Sequence, residues 1–366
     1  MAAATIFPGF RRASIADQAA AALREAIRRG TWGGVLPGEH ELARRLGISR
    51  PSVRAALARL AESGVVTIRQ GRRTRVNRHR RSGGPGAPPT VCVVAPLPRD
   101  TLGRGDNPVL LDIHAQLAAQ GIAWEEIFDA TLGGKSPERR LEELAAGRRG
   151  VCWLVLSASA AIQRWFERSG LPVLVLGSCY SGVHLPSVDT DYGAVGWHAA
   201  GRLAQCGHRQ VALIFPPRSA AGDLACRDGF VQYAAQRREG MSVAEIGAGP
   251  GRSDLWSKLK RLMAARPRPT AILTMRPEYA VRVYIHLIEL GLRIPDDVSL
   301  VSRDTHAVLE LGIPELARYR SPTLKLAAHT VRLTQALLAG QVVSYKPHLI
   351  IPTFVPGSTL VHPPEI

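Results

Sequence analysis

Hydrophobic positions change their spacing near residue 90, and this change divides the chain into two regions. Before it, apolar residues recur every three or four positions; after it, near-continuous apolar runs alternate with amphipathic helical stretches. The first pattern predicts a small helical domain, and the second predicts parallel sheets covered by helices on both faces. An Arg-rich and then Gly/Pro-rich stretch between them is typical of a linker. We therefore predict a domain over 1–77, a linker over 78–89 and a two-lobed α/β domain over 90–366.

Three helices and a β-hairpin are predicted within residues 1–77. Ser49 is the predicted N-cap of the third helix, and Pro51 occupies its first turn, where a missing N–H costs little. The segment "VVTIRQGRRTRVN" alternates on both sides of a turn and predicts a wing. The apolar positions that set the helical spacing are Ile15, Ala19, Leu23, Ile27, Leu42, Leu46, Val53, Leu57 and Leu60.

Charge is concentrated in this first region. Residues 1–82 contain seventeen arginines, no lysine and five acidic residues, so they carry about +12 of the formal net charge of +17. A basic block of this kind indicates a polyanionic partner. A helix followed by a helix–turn–helix and a wing is also an arrangement that binds DNA. Together, the charge and the pattern predict a DNA-binding domain.

Arg50 and Arg54 are four residues apart near the start of the third helix, so they share one face. That face lies away from the apolar positions of the same helix. A recognition helix enters the major groove by its N-terminal end, where an arginine can make two hydrogen bonds to guanine. The free N–H groups at the same end favour a phosphate. Both arginines are therefore predicted to contact base edges.

The segment "LPGEHELARRLGISRPSVRAALARLAESGVVTIRQGRRTRVN" resembles the winged helix–turn–helix of the GntR family. Two features depart from the family pattern: His40 stands where many members have Arg, and the wing reads "GRRT" in place of "GxGT". The resemblance implies a double-stranded DNA operator as partner. The DNA-contacting residues that it implies, with their flanking positions, are His40, Ser49, Arg50, Ser52, Arg54, Gly71, Arg72 and Arg73.

After residue 90 the alternation of strands and helices runs through two similar halves, which predicts two doubly wound lobes with a ligand cleft between them. The stretches "SVDTDYGAVGWHAAGRLAQCGHRQVALI", "RDGF" and "GLRIPDDVSLVSRDTH" resemble the effector core of LacI/GalR repressors and periplasmic sugar-binding proteins. A GntR-type head on this core resembles the arrangement of arabinose-repressor-like regulators, which implies three crossings between lobes. We predict lobe one over about 90–186 plus 323–341, and lobe two over about 190–320 plus 345–360.

Four residues are candidates for effector binding. Asp304 holds the position at which the family uses a carboxylate to accept sugar hydroxyls. Arg276 and Arg99 follow predicted strands and could bind an acidic or phosphorylated effector, unless they are solvent-exposed loop residues. The family's arginine, three residues before the glycine of "GF", is Cys226 here. Arg227 is displaced by one position, or about 100° around the helix, so either it reaches the ligand differently or the ligand is not a typical sugar.

Several classes of function find no support in the residue pattern. Five cysteines without CxxC spacing argue against a disulfide framework and a zinc site, and no His/Asp/Glu set has metal-ligand spacing. No sequence motif places a nucleophilic side chain together with a general base. No apolar run is long enough to cross a bilayer, and the cysteine usage fits reduced thiols in a cytoplasm. We expect no metal, no cofactor, no catalytic residue, no membrane partner and no enzyme activity.

The predicted function is that of a ligand-responsive transcription regulator, usually a repressor. A homodimer of the core would place two heads on a pseudo-palindromic operator. The expected effector is a sugar or sugar derivative bound between the lobes. Two alternatives stay open: a DNA-tethered enzyme that acts on a small metabolite, and a constitutive DNA-binding protein whose core has lost its ligand, as Cys226 allows.

Overall fold

A small helical domain begins the chain. The computed structural model describes residues 14–28, 32, 35–62, 65–68, 73–76, 88–97, 108–134, 136–148, 150–217, 219–236, 240–249, 251–310 and 315–364. The first domain comprises α1 (Ile15–Arg28), α2 (Glu39–Leu46), α3 (Arg50–Glu62), β1 (Val66–Thr67) and β2 (Arg75–Val76). The two strands pair antiparallel, so the predicted hairpin is present with two residues on each side.

The apolar stripes of these helices meet in one core. Leu23 of α1 and Leu57 and Leu60 of α3 are almost completely buried, and they belong to one cluster with Val66 and Val76 of the hairpin. Burial of these side chains is what holds such short helices together, since isolated helices of this length are marginal in water. Ile15 differs from the expected pattern and is 59% exposed, because it is the first residue of α1 and lies one turn before the packed segment.

The next part of the chain forms a lobe built on a six-stranded parallel sheet, here called lobe one. Its strands lie in the order β13-β7-β6-β5-β3-β4. Its elements are β3 (Thr90–Ala95), α4 (Pro108–Ala118), β4 (Ala123–Phe128), α5 (Glu138–Ala145), β5 (Val151–Leu156), α6 (Ala160–Ser169), β6 (Val173–Leu176), β7 (Ser187–Thr190), α12 (Thr323–Leu338) and β13 (His348–Ile350). The central strand β5 is buried along its whole length, as expected for a parallel sheet covered on both faces.

A second six-stranded sheet forms lobe two, with strands in the order β14-β12-β11-β10-β8-β9. Its elements are α7 (Tyr192–Gln205), β8 (Gln210–Phe215), α8 (Ala221–Gln236), β9 (Ser242–Gly247), α9 (Arg252–Ala264), β10 (Ala271–Thr274), α10 (Pro277–Glu289), β11 (Ser299–Ser302), α11 (Ala307–Glu310), β12 (Ala317–Arg320) and β14 (Thr353–Val355). Among the described strands of this sheet, the edge strand β14 alone runs antiparallel to its neighbour. The predicted fold class, a winged head followed by two doubly wound lobes, is confirmed.

The described chain passes between the two sheets at three places, here called crossings. The first joins β7 to α7, the second joins β12 to α12, and the third joins β13 to β14. The N–H of Asp191 donates to the Ile350 carbonyl at 2.9 Å, which ties the first crossing to the third. The hydroxyls of Thr190 and Ser321 lie 3.3 Å apart, which ties the first to the second. The three crossings therefore form one hinge region.

One predicted lobe boundary needs a correction. Residues 345–360 were expected in lobe two, but His348–Ile350 pairs in parallel with β7 of lobe one. The run "HLIIPTFV" looks like a single strand in sequence. Pro352 has no N–H to give to a ladder, so the run divides into β13 and β14 on either side of it. Among the helices that the structure describes, none combines the length and apolar character that spanning a membrane requires.

Candidate functional site

The exposed face of α3 carries both arginines predicted to contact DNA. The Oγ of Ser49 accepts a hydrogen bond from the Ser52 N–H at 3.3 Å, so the predicted N-cap is present. Arg50 and Arg54 are exposed, whereas Val53 on the same helix is buried. The N-terminal part of α3 thus presents two guanidinium groups to solvent, one turn apart.

Glu39, which sequence analysis missed, holds Arg54 in place. Nε and Nη2 of Arg54 donate to the two carboxylate oxygens of Glu39 at 3.2 and 2.8 Å. Hydrogen bonding from Arg54 lowers the pKa of Glu39. This two-point contact orients one guanidinium before a partner arrives. Its only signal in the sequence is the acid in "LPGEHE", because pairing between α2 and α3 is a tertiary contact that spacing within one helix cannot show.

The other predicted DNA contacts lie at the surface or outside the described residues. His40 at the start of α2 and Arg73 before β2 are exposed, and Ser52 is half-buried. Gly71 and Arg72 lie outside the described residues. The described part of the head therefore offers a basic, exposed surface that can hydrogen-bond to phosphates and base edges.

In lobe two, a buried carboxylate joins two arginines at the carboxyl ends of the strands. Asp223 lies in the first turn of α8 and is 2% exposed. One oxygen accepts from Nη1 of Arg303 at 2.6 Å, and the other accepts from Nη2 of Arg276 at 2.8 Å. Arg276 follows β10 and Arg303 follows β11, so neighbouring parallel strands deliver both cations to one acid. Such pairing is what allows a charged group to be buried.

Arg303 is the member of this group that sequence analysis missed. It is 2% exposed, and its Nη2 donates to Asp304 at 2.7 Å. Its guanidinium carbon lies 4.1 Å from the centre of the Tyr192 ring, in cation–π geometry. Burial works against the charge, yet Asp304 and the other neighbours raise the pKa of Arg303 well above its usual value. The sequence places Arg303 directly before Asp304, but only the folded strand end shows that its side chain turns inward. We call Asp223, Arg276, Arg303 and Asp304 the cleft cluster.

The structure brings Asp304 and Arg276, two of the predicted effector residues, into this one cluster. Their side chains are 24% and 36% exposed. Among the described residues, none binds Oδ1 of Asp304 or Nε and Nη1 of Arg276. Within the described part of the chain, one acceptor atom and two donor atoms are therefore left without a partner at the carboxyl ends of these strands, and a few such polar groups are enough to orient a small molecule.

Of the other two candidates, Arg227 is not brought into the cleft cluster. Arg227 pairs with Asp228 at 3.0 Å, and its Nε lies 3.7 Å from a carboxylate oxygen of Glu245 in β9. One position along α8, Cys226 is completely buried in the core of lobe two, so the next side chain points in another direction. Arg99 lies outside the described residues.

Lobe one contributes polar groups next to the cleft cluster. Asp189 in β7 accepts from the Ser178 hydroxyl at 2.5 Å and from the Thr190 N–H at 2.8 Å. Burial raises the pKa of Asp189 to about 6, and Ser178, Thr190 and Arg303 oppose the shift. The hydroxyl of Tyr180 donates to the Ser219 carbonyl of lobe two at 3.3 Å. Both lobes therefore meet at this polar region.

Within the part of the chain that the structure describes, no three His, Cys, Asp or Glu side chains are grouped to hold a metal ion. Cys92, Cys152 and Cys226 are buried and form no disulfide. Burial raises the pKa of Cys92 and of Cys226 to about 12, so both stay protonated at neutral pH, and a thiol is a far weaker nucleophile than a thiolate.

Comparison with known families agrees with this architecture. Residues 15–76 match the gntR family of bacterial regulatory proteins, and residues 200–360 match the periplasmic binding protein-like domain. The arabinose metabolism transcriptional repressor of Geobacillus stearothermophilus is 24% identical over 341 residues, which are 86% of this chain and 90% of that protein. Catabolite control protein A of Staphylococcus epidermidis is 21% identical over 204 residues, and this match spans 61% of that protein.

Solved structures share the fold. A transcriptional regulator CelR–cellobiose complex superposes with a TM-score of 0.64 at 18% identity, covering 88% of this chain and 100% of that one. A LacI family regulator from Enterococcus faecium with bound ribose gives a TM-score of 0.60 at 21% identity, covering 75% of this chain and 99% of that one. The two family matches confirm the predicted combination of a GntR-type head and a periplasmic-binding-protein-like core.

Proposed function

We propose that this chain, which joins a gntR-family winged helix–turn–helix head to a periplasmic-binding-protein-like core, is a transcriptional repressor whose operator affinity is controlled by a small molecule. The arabinose metabolism repressor, similar over most of both chains, supports this reading. A protein that regulates transcription works where the chromosome is, so we place it in the cytoplasm.

The observation that carries the proposal is the exposed pair Arg50 and Arg54 on the capped N-terminal half of α3. Two guanidinium groups on one face, one turn apart, match the reach and the donor pattern needed for guanine in the major groove. Each head reads one half-site, and a homodimer places two heads on a pseudo-palindromic operator.

The effector is a sugar or sugar derivative bound between the lobes. Regulators with this fold hold ribose and cellobiose. In this chain Asp304 offers an acceptor, and Arg276 offers two donors among the described residues. A ligand that touches both lobes binds one arrangement of the hinge region better than the other. This difference in affinity is what shifts the population that binds DNA.

The operator-binding role is tested by Arg50→Ala. The full-length wild-type chain first selects a duplex from a random pool. The Arg50→Ala protein should bind this duplex more weakly by roughly 1–3 kcal/mol and should show a relaxed preference at one base pair per half-site. Fluorescence anisotropy measures both effects. Arg139→Ala, at an arginine that is 91% exposed on α5, is the matched control and should change neither. An Arg50→Ala protein with unchanged affinity and footprint would refute the assignment of α3 as the recognition helix.

A further inference from the structure

A cavity of about 300 Å³ lies beside the hinge region, and we call it the hinge cavity. Its walls come from the start of α7, from β12 and β14, and from Ile351 and Pro352 in the third crossing. None of its lining residues belongs to the cleft cluster. The volume is at the small end of the range of ligand pockets and suits a molecule with one ring.

Three aromatic side chains form one wall of the hinge cavity. The rings of His198, Tyr319 and Phe354 meet at centroid distances of 5.7, 5.5 and 5.1 Å in edge-to-face and tilted orientations. Ile351 also lines the cavity and is 72% exposed, so it leaves apolar surface in contact with water. Aromatic walls gain most from a planar ring that can add to the same edge-to-face pattern.

His198, which lines the same wall, can supply a hydrogen-bond donor. Nδ1 of His198 lies 2.7 Å from the hydroxyl oxygen of Tyr319. Tyr319 as a residue is 3% exposed. Among the described residues, that hydroxyl has no other hydrogen-bond partner, and a buried O–H without an acceptor is costly, so we assign the phenol as the donor and Nδ1 as the acceptor. The neutral imidazole then carries its own proton on Nε2. Burial lowers the pKa of His198, so this neutral form dominates at pH 7. His198 therefore offers an N–H donor to a ligand.

Arg202, one helical turn after His198, adds positive charge beside the hinge cavity. Its guanidinium carbon lies 5.5 Å from the centre of the Phe354 ring. Its Nε is buried and has no hydrogen-bond partner among the described residues. Its Nη1 donates to Gln205 at 3.2 Å, and Arg202 is not among the residues that line the cavity, so it acts on an anion there through its charge and not through a direct hydrogen bond.

We propose that the hinge cavity binds a small planar aromatic carboxylate. Its ring packs on Tyr319 and Phe354, and its carboxylate accepts from His198 Nε2–H and lies near Arg202. The cavity is lined by the start of α7, directly after the first crossing, and by Ile351 and Pro352 of the third crossing, so an occupant stabilises one lobe arrangement over the other. The effect on operator affinity, unlike the binding itself, rests on the proposed function.

Isothermal titration of the full-length chain with benzoate tests the site. We expect benzoate to bind with a Kd below about 1 mM. Benzyl alcohol keeps the ring without the charge, and cyclohexanecarboxylate keeps the charge without the planar ring; each should bind at least about tenfold more weakly. Equal binding of all three compounds, or no benzoate binding at millimolar concentration, would overturn the proposal.

Two variants locate the site. His198→Phe keeps a ring but removes the donor, and Arg202→Gln removes the charge; each should weaken benzoate binding at least about tenfold. Arg202→Gln leaves the His198–Tyr319 hydrogen bond in place, so it stays informative if His198→Phe folds poorly. The matched controls His114→Phe on α4 and Arg139→Gln on α5 should bind as wild type does. Loss of binding in Arg276→Gln, with His198→Phe and Arg202→Gln unaffected, would place benzoate in the cleft and contradict the proposal.

Discussion

At the scale of single residues, Asp223 is the group on which the cleft depends most. It is the shared partner of Arg276 and Arg303, and its second oxygen also accepts from the Ala220 N–H at 2.9 Å. Removing this acid would leave Arg303 buried with Asp304 as its remaining acid partner among the described residues. Breaking a buried pair on one side costs far more than losing a surface pair.

Asp223→Ala should therefore lower the free energy of unfolding of lobe two by about 3–5 kcal/mol. Urea unfolding followed by circular dichroism measures the change. Asp228→Ala on the same helix is the control, since Asp228 is 66% exposed and should cost less than about 0.5 kcal/mol. Equal effects of the two substitutions would show that the buried network does not stabilise the lobe.

Asp189 should make the stability of lobe one depend on pH. Its pKa is about 6 in the folded protein, above the ordinary value of 3.8, so between these values the folded state binds more protons than the unfolded state. Its contribution to stability is full below the unfolded pKa and is lost as the pH rises through about 6. His208, whose pKa is lowered to about 4 by burial, contributes the opposite slope in the same window.

The comparison with Asp189→Asn separates the two groups, because His208 is common to both proteins. The variant cannot ionise, so its stability relative to wild type should rise between about pH 4 and pH 7 by about 2–3 kcal/mol. Unfolding at a series of pH values measures this difference. A difference that stays constant across the range would show that Asp189 titrates normally.

At the scale of elements, α7 and α8 pack closely against each other in lobe two, and this packing depends on glycines. A Cβ added at Gly196 would lie 1.9 Å from the Cys226 carbonyl oxygen, and one at Gly229 would lie 2.3 Å from the Gly193 carbonyl oxygen. Backbone atoms cannot rotate away as a side chain can, so the helices would have to separate. Glycine is needed at these two positions because the helices pack too closely to leave room for a side chain, and not because the backbone adopts an unusual conformation.

Gly196→Ala should therefore destabilise lobe two by about 1–3 kcal/mol or more, despite the better helix propensity of alanine. Gly201→Ala on the same helix is the matched control, since the atoms nearest to its Cβ would belong to the Tyr233 side chain, the first at 3.4 Å. Thermal unfolding should show a lower melting temperature for the first variant and an equal or slightly higher one for the second. A stabilised Gly196→Ala protein would mean that α7 and α8 are packed less closely.

The elements were largely predictable from sequence, and the cleft was not. Apolar runs such as "TVCVVA" and "VCWLVL" predict β3 and β5 because strands buried on both faces show no polar alternation. The helix cap at Ser49 follows from local hydrogen bonding, which sequence spacing records. Arg303 and Glu39 were missed because their partners are brought close only by the fold: Asp223 is 80 residues from Arg303, and Arg54 is 15 from Glu39.

At the scale of the whole molecule, the three crossings and the contacts between them form the hinge region, through which a bound ligand would change the arrangement of the two lobes. Thr190 with Ser321, and Asp191 with Ile350, couple the crossings to one another. Tyr180 and Ser219 join the lobes directly. A ligand that changes the lobe angle must work against these contacts, so its effect on DNA affinity is limited by its differential affinity for the two arrangements.

The measurement that tests the account most directly is the operator affinity of the full-length chain, by anisotropy at about 0.15 M salt, across a panel of sugars, sugar phosphates and sugar acids. We predict binding to a selected duplex with a Kd of about 10⁻⁸–10⁻¹¹ M, changed about 5- to 150-fold by at least one compound. An affinity for the selected duplex that is no higher than the affinity for unrelated duplexes would contradict sequence-specific DNA recognition by the N-terminal domain. Sequence-specific affinity that no compound in the panel changes would contradict control by a sugar-like ligand.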